Sequence, residues 1–277
     1  MPANSAVYYD SDQARRPLLS EMRNLWDYRD LVRLLVRRDL TVRYKRSTLG
    51  VWWTLLNPLL TTLILWMVFG NFFRFETPGV PFIVYLLSGI LLVTFFSQSV
   101  IASGSAIVNN AGILSKVFVP PEVFSFSAAV AAAVNFVISL IPLVILQLAN
   151  GLGIPWTVVL IPIPVLSLLA LGAGVGLLVA SAAVFFFDVL DLTAVLLQLL
   201  SYLTPTFYPI TIVPDRFLWV IYLNPLYSYL VVFRGFMYEG AFAPGWNFAY
   251  MVGSALAALL VGIYVFSRSW RNLIAVL

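Results

Sequence analysis

An all-helical integral membrane bundle is the fold class that this chain predicts, and three observations carry that reading. First, 61% of the 277 residues are hydrophobic and 10% are charged, against about 25% charged in a soluble domain. Mean hydropathy is +0.96, so lipid must cover part of what would otherwise be core. Second, the apolar residues fall into runs of bilayer length separated by short Pro/Gly-rich turns. Third, ten of the sixteen Lys and Arg residues lie at or before Arg46. Such a cluster is held on the cytoplasmic side by anionic lipid and by the membrane potential.

The order of elements follows from these runs. Residues 1–23 contain Asp10, Asp12, Arg15, Arg16 and Glu21 without an apolar h-region, which predicts a flexible cytoplasmic tail rather than a signal peptide. Residues 24–46 predict an amphipathic interface helix. Leu25, Tyr28, Val32, Leu35, Val36 and Leu40 share one face, and Asp30, Arg33, Arg37 and Thr41 lie opposite. A plain positive-inside anchor is the simpler reading of the same helix. The rest, 47–277, reads as one transmembrane domain.

Span one is expected at 51–72, with Trp52 and Trp53 at the interface and Asn57-Pro58 inside it. Span two is expected at 81–103. Residues 104–122 then read as a polar interruption on the cytoplasmic side. Span three follows at 123–148, span four at 156–187 and span five at 189–204. Span four carries a Gly172/Gly176 pair that permits close helix approach or simply faces lipid. Residues 217–236 are apolar over a span's length, but Asn224-Pro225 divides them into halves too short to cross. The expectation is a re-entrant helix pair dipping in from outside, followed by span six at 246–266. Six spans leave Arg74, Arg216 and Arg234 outside and every other Lys and Arg inside, with both termini cytoplasmic. A seventh crossing would weaken that asymmetry.

Composition also excludes functions. With no Cys and no His, the chain lacks thiolate chemistry, the commonest general base and the commonest metal ligands. No metal site is expected. Its two lysines, Lys45 and Lys116, stand in no G-x-x-x-x-G-K phosphate loop. The basic residues form one membrane-flanking cluster, not a nucleic-acid surface. Asp188 and Asp191 lie three residues apart on one helical face. Helix capping, a surface contact to a partner, and acid/base catalysis are the readings of that pair, in that order. In 104–122, the apolar Ile107, Val108, Ile113, Leu114, Val117 and Phe118 beside Lys116 and Glu122 point to a protein partner or to burial under the membrane surface. Tyr202, Phe207, Tyr208, Trp219, Tyr222, Tyr227, Tyr229, Tyr238 and Trp246 crowd the outer third. They form an interfacial belt or a path whose ring faces meet pyranose C–H groups.

Three stretches carry a family resemblance: RRDLTVRYKRSTLGVWWTLLNPLL at 37–60, NNAGILSKVFVPPEVF at 109–124 and YLNPLYSYLVVFRGFMYEG at 222–240. With the six-span order they cover about residues 24–268. The chain resembles the membrane subunits of ABC-2 type polysaccharide exporters, the Wzm/TarG/KpsM-like permeases, and among them the O-antigen and galactan exporters. The resemblance implies a homodimer in the cytoplasmic membrane, bound to two copies of a separate ATPase that holds ATP and Mg. No cofactor is then expected in this chain. It places the ATPase interface at Asn109, Asn110, Ile113, Leu114, Lys116, Val117, Phe118, Glu122, Asp188 and Asp191. It makes 206–238 gate helices, with Tyr202, Phe207, Tyr208, Trp219, Tyr222, Asn224, Pro225, Tyr227 and Tyr229 at the channel or gate. The substrate it implies is a polyprenyl-diphosphate-linked glycan, drawn in by Arg37, Arg38, Arg43, Lys45 and Arg46. In one departure, Pro121-Glu122 stands where many members carry a basic residue. Two other classes compete: an ABC-2 drug or lipid exporter of the same fold, and a membrane-embedded glycan-processing enzyme. The enzyme class lacks an acidic or His cluster beyond the Asp188/Asp191 pair.

Overall fold

The computed structural model describes residues 27–45, 49–50, 52–77, 79–114, 116, 119–186 and 188–273, with backbone alone at 43–44 and 270–273. Among these residues the secondary structure is entirely helical. The residues expected as a tail, 1–23, and Arg46 lie outside this set.

Helix α1, Arg29–Tyr44, is the expected amphipathic helix. Its apolar face is covered by protein rather than by lipid alone. Leu35 is buried with Tyr28, Leu31 and Val32 against Ala102, Ala106, Val123, Phe124 and Ala128. Burying one such leucine is worth about 1.5–3 kcal/mol. Helix α2, Trp52–Phe72, is α-helical to Leu65 and continues in wider π turns. Pro58 cannot donate to the Thr54 carbonyl. The Ser139 hydroxyl, bonded to Asn135 O at 2.8 Å, stands 3.4 Å from that carbonyl. This is how a proline is accommodated within a span. A left-handed Arg74 (φ 53°) ends the segment.

Helix α3, Phe82–Asn109, is the centre of the bundle and buries 72% of its most apolar window. It runs six residues beyond the expected boundary at 103. Gly104, Ser105 and Ala106 there are small because protein, not lipid, covers them. Ile107 is fully buried among Leu177, Ala180, Val184, Ile263 and Phe266, which corrects its expected exposure to a partner. A single turn, α4 (Ala111–Leu114), follows. Helix α5 is Glu122–Ala149. After a 3-10 turn at Trp156–Leu160 comes α6, Pro162–Ala183.

Small residues set the packing of α6. A Cβ at Gly172 would collide with Ser99, and one at Gly176 with Ser103. A Cβ at Gly174 would meet the backbone of Ala258 and Leu259 in α10 (Gly245–Leu273), and one at Gly262 that of Gly174. The Gly172/Gly176 pair therefore faces protein, and helices α3, α6 and α10 touch nearly backbone to backbone.

Helix α7, Asp188–Leu203, has 16 residues and one buried side chain, Leu197. At about 24 Å it is shorter than the five helices α2, α3, α5, α6 and α10, counting the 3-10 turn with α6. Those five are long and apolar enough to cross a membrane by length and composition. The divided segment forms α8, Asp215–Leu223, and α9, Pro225–Arg234, which continues in wider turns to Glu239. The two are bent by 87° at Asn224, the shape expected of a re-entrant pair or a broken sixth span.

Candidate functional site

The bundle presents two ends. At the basic end, α1 packs against the C-terminal part of α3 and the start of α5. Arg38 joins them: its Nε and Nη2 donate to Asp39 at 3.0 and 2.9 Å, and Nη1 donates to Asn110 Oδ1 at 2.9 Å. Asn110 donates to the Ala106 carbonyl at 2.7 Å. Arg38 is thus engaged within the chain, unlike the exposed Arg37 and Lys45. Asn109, Ile113 and Lys116 are exposed, Leu114 packs under the turn against both neighbouring apolar clusters, and Glu122 is half-buried. Asp188 and Asp191 are exposed in the first turn of α7. Asp188 is the first helical residue, not the cap, and both carboxylates favour the positive end of the helix dipole. Val117, Phe118 and the side chain of Arg43 lie outside the described residues.

The far end is aromatic. Tyr202 is 56% and Trp219 65% exposed, and Tyr202 packs near Phe207. Tyr222, Tyr227 and Trp246 form a three-ring cluster beside the bend. Tyr208 donates to the carbonyls of Tyr202 and Leu203. Burial raises its phenol above the ordinary value, with Tyr85 adding to the shift, so it stays a neutral donor. Asn224 is buried. It caps α9 by accepting from Leu226 N at 3.0 Å, and it donates to Thr204 Oγ1 at 2.8 Å. Pro225 supplies the first turn of α9, where its missing N–H costs nothing. Tyr229 departs from expectation. It is fully buried, and its hydroxyl donates to Met251 O at 2.8 Å. A tyrosine whose ring and hydroxyl are both consumed inside the subunit belongs to the core and does not line a channel.

The sequence reading counted Arg234 only as an outer charge and missed its surroundings. Arg234 is 7% exposed and lies 3.6 Å above the Tyr85 ring. It donates to Ser88 Oγ at 3.2 Å, Tyr85 O at 3.1 Å and Pro205 O at 3.4 Å. Tyr85 in turn donates to Pro205 O and Tyr208 O. The usable signal was an arginine within an apolar run, which in a membrane segment marks function by default.

Among the described residues no three His, Cys, Asp or Glu side chains cluster in a way that would hold a metal. A bundle of several apolar helices, with a basic amphipathic helix at one end and a bent aromatic pair at the other, defines a multi-pass membrane permease. Residues 30–238 match the family described as ABC-2 type transporter, and the chain belongs to that family. It is 35% identical over 221 residues (79% of this chain, 84% of the relative) to the O-antigen export system permease protein RfbA of Myxococcus xanthus. A protein of the same description from Klebsiella pneumoniae is 27% identical, over 86% of this chain and 92% of its own length. The polysialic acid transport protein KpsM of Escherichia coli is 25% identical, over 85% and 92% respectively.

Proposed function

We propose that this chain is the permease subunit of an exporter that moves a lipid-linked polysaccharide across the cytoplasmic membrane. The glycan is carried on polyprenyl diphosphate and is O-antigen- or galactan-like. The observation that carries the reading is the exposed aromatic surface at the far end. Trp219 and Tyr222 stand out from a buried frame on a segment bent by 87°, and Tyr202 is exposed near the end of α7. Each sugar hydroxyl taken into hydrocarbon without a partner costs roughly 2–7 kcal/mol. A wet path lined by rings and phenol hydroxyls between two subunits removes most of that cost.

The basic end faces the cytoplasm by the positive-inside asymmetry. Arg37, Lys45 and their neighbours attract the diphosphate there. The short turn α4, with exposed Ile113 and Lys116, seats in a separate ATPase that binds ATP and Mg. Two permeases and two ATPases make the working complex. The names of the relatives and the absence of a phosphate loop from the sequence support this division of labour.

The test is export. Cells lacking their own O-antigen permease receive this chain with an ATPase subunit from the same source, and glycan reaching the outer surface is measured by antibody or lectin. Surface glycan that depends on both proteins is the expected result. Stimulation of the ATPase by small amphiphiles, with glycan retained inside, would instead identify a drug or lipid exporter. ATP hydrolysis by the purified permease alone would overturn the split design.

A further inference from the structure

We propose that Arg234 is a positioning residue for transport. Its guanidinium ties the segment after α7 to the fixed frame, so that movement of α7 reaches the exposed limb α8 while α9 stays in place. The proposal rests on the transport reading above.

The first observation is electrostatic. Among the described residues the ion pairs are Arg33–Asp30 and Arg38–Asp39, both at the basic end. The direct contacts of Arg234 are neutral, namely two carbonyls, one hydroxyl and one ring face, and the Glu239 carboxylate acts on it only through space. A buried cation without a carboxylate in direct contact is costly, and an apolar side chain of similar length would stabilise the same site better. The planar fork of Arg reaches three acceptors in different directions, which Lys cannot do from one point charge.

The second observation is what the fork joins. Tyr85 and Ser88 belong to α3, Pro205 to the segment after α7, and Arg234 to the end of α9. Glycine at 89 keeps the junction open, since a Cβ there would stand 2.9 Å from Arg234 Nη2 and 2.8 Å from Thr206 Cγ2. One residue before Pro205, Thr204 accepts from Asn224 at the bend. The segment 204–206 is therefore a strut with Arg234 on one side and the hinge of α8 on the other.

The third observation is the contrast in anchoring. The α9 limb is pinned along its length: Ser228 to Asn247, Tyr229 to Met251, Phe236 O to Thr157 and Met237 O to Gln147. The α8 limb buries one side chain, Ile221. Besides the Asn224–Thr204 bond it is held by Tyr250 donating to Leu223 O and by the packing of Tyr222 on Tyr227 and Trp246. Helix α7 is likewise lightly anchored, with Leu197 its one buried side chain.

The experiment uses the full-length permease co-expressed with its ATPase. Three quantities are read for R234M, R234K and T204V: surface glycan, ATP hydrolysis, and the melting temperature of the purified complex. A D215C reporter on α8 adds a fourth, because the wild-type chain has no other thiol. Its labelling rate is compared between nucleotide-free and vanadate-trapped complexes. In wild type the two rates differ. The expected result for R234M is melting at or above wild type, hydrolysis within twofold, export reduced at least tenfold, and equal D215C labelling in both states. R234K recovers export only in part. T204V severs the strut without touching the cation and gives the same pattern, which decides the matter if R234M does not fold. Export within twofold of wild type in R234M or T204V overturns the proposal, as does a state-dependent D215C rate that survives in either. Failure of the wild type to export glycan would instead count against the transport reading.

Discussion

The two limbs either side of Asn224 are made of similar residues and have opposite fates. Helix α8 reads DRFLWVIYL and α9 reads PLYSYLVVFR. Both are apolar with aromatic interruptions. Yet α8 exposes Phe217, Trp219, Tyr222 and Leu223, while α9 buries Leu226, Tyr229, Leu230, Val232 and Phe233. Hydrophobicity does not separate them, because lipid and protein interior are equally apolar solvents for a leucine. What separates them is the polar residue that finds an internal partner. Ser228, Tyr229 and Arg234 each bond to another element, whereas Arg216 lies over its neighbour Phe217 at the surface.

A change in topology would break this comparison most completely. Single cysteines in place of Arg216 and Ala241, both exposed at the two ends of the pair, are expected to react with an impermeant maleimide from outside. Phe236 is unsuitable for this purpose because it is 1% exposed. Labelling of either position from the cytoplasm alone would make the pair a crossing span and remove the common frame of the two limbs.

The next largest effect belongs to the buried limb. Leu230 is fully buried in the main cluster, so Leu230→Ala is expected to cost about 2–5 kcal/mol. A fall in melting temperature together with loss of folded complex checks it. A smaller effect falls on the bend. Asn224→Ala removes the cap on Leu226 and the bond to Thr204, at about 1 kcal/mol. Export is expected to fall further than stability, since the hinge loses its tie to the segment after α7.

How much of this was legible in sequence divides along the same line. Long spans, the proline break and the amphipathic helix were readable because each depends on local period and length. The boundary of α3 was not. Gly104, Ser105 and Asn109 look like a loop to a hydropathy window, but Gly104 and Ser105 meet protein rather than lipid in α3. Small and polar residues are then an advantage, letting Val179 close on Gly104. The burial of Ile107 followed from the same misreading. The surroundings of Arg234 were illegible for another reason. Its acceptors Tyr85 and Ser88 lie about 150 residues away in sequence, and nothing local announces them. The aromatic residues were legible as a class but not individually. Tyr229 and Tyr222 look alike in sequence, and the third dimension alone assigns one to the core and the other to the surface.

Trp219 gives the smallest expected effect on stability and the sharpest contrast with Leu230. It is 65% exposed on α8, so Trp219→Ala removes little buried area. Its effect on folding is expected to stay within about 0.5 kcal/mol. If the exposed rings meet the glycan, the same substitution lowers export several-fold at unchanged melting temperature, and Trp219→Phe restores most of it by returning a ring face. If instead the ring only sits among lipid headgroups, Trp219→Ala leaves export untouched. The two measurements together separate a surface that contacts cargo from one that contacts the membrane. Leu230→Ala cannot make that distinction, because it lowers export and stability in step.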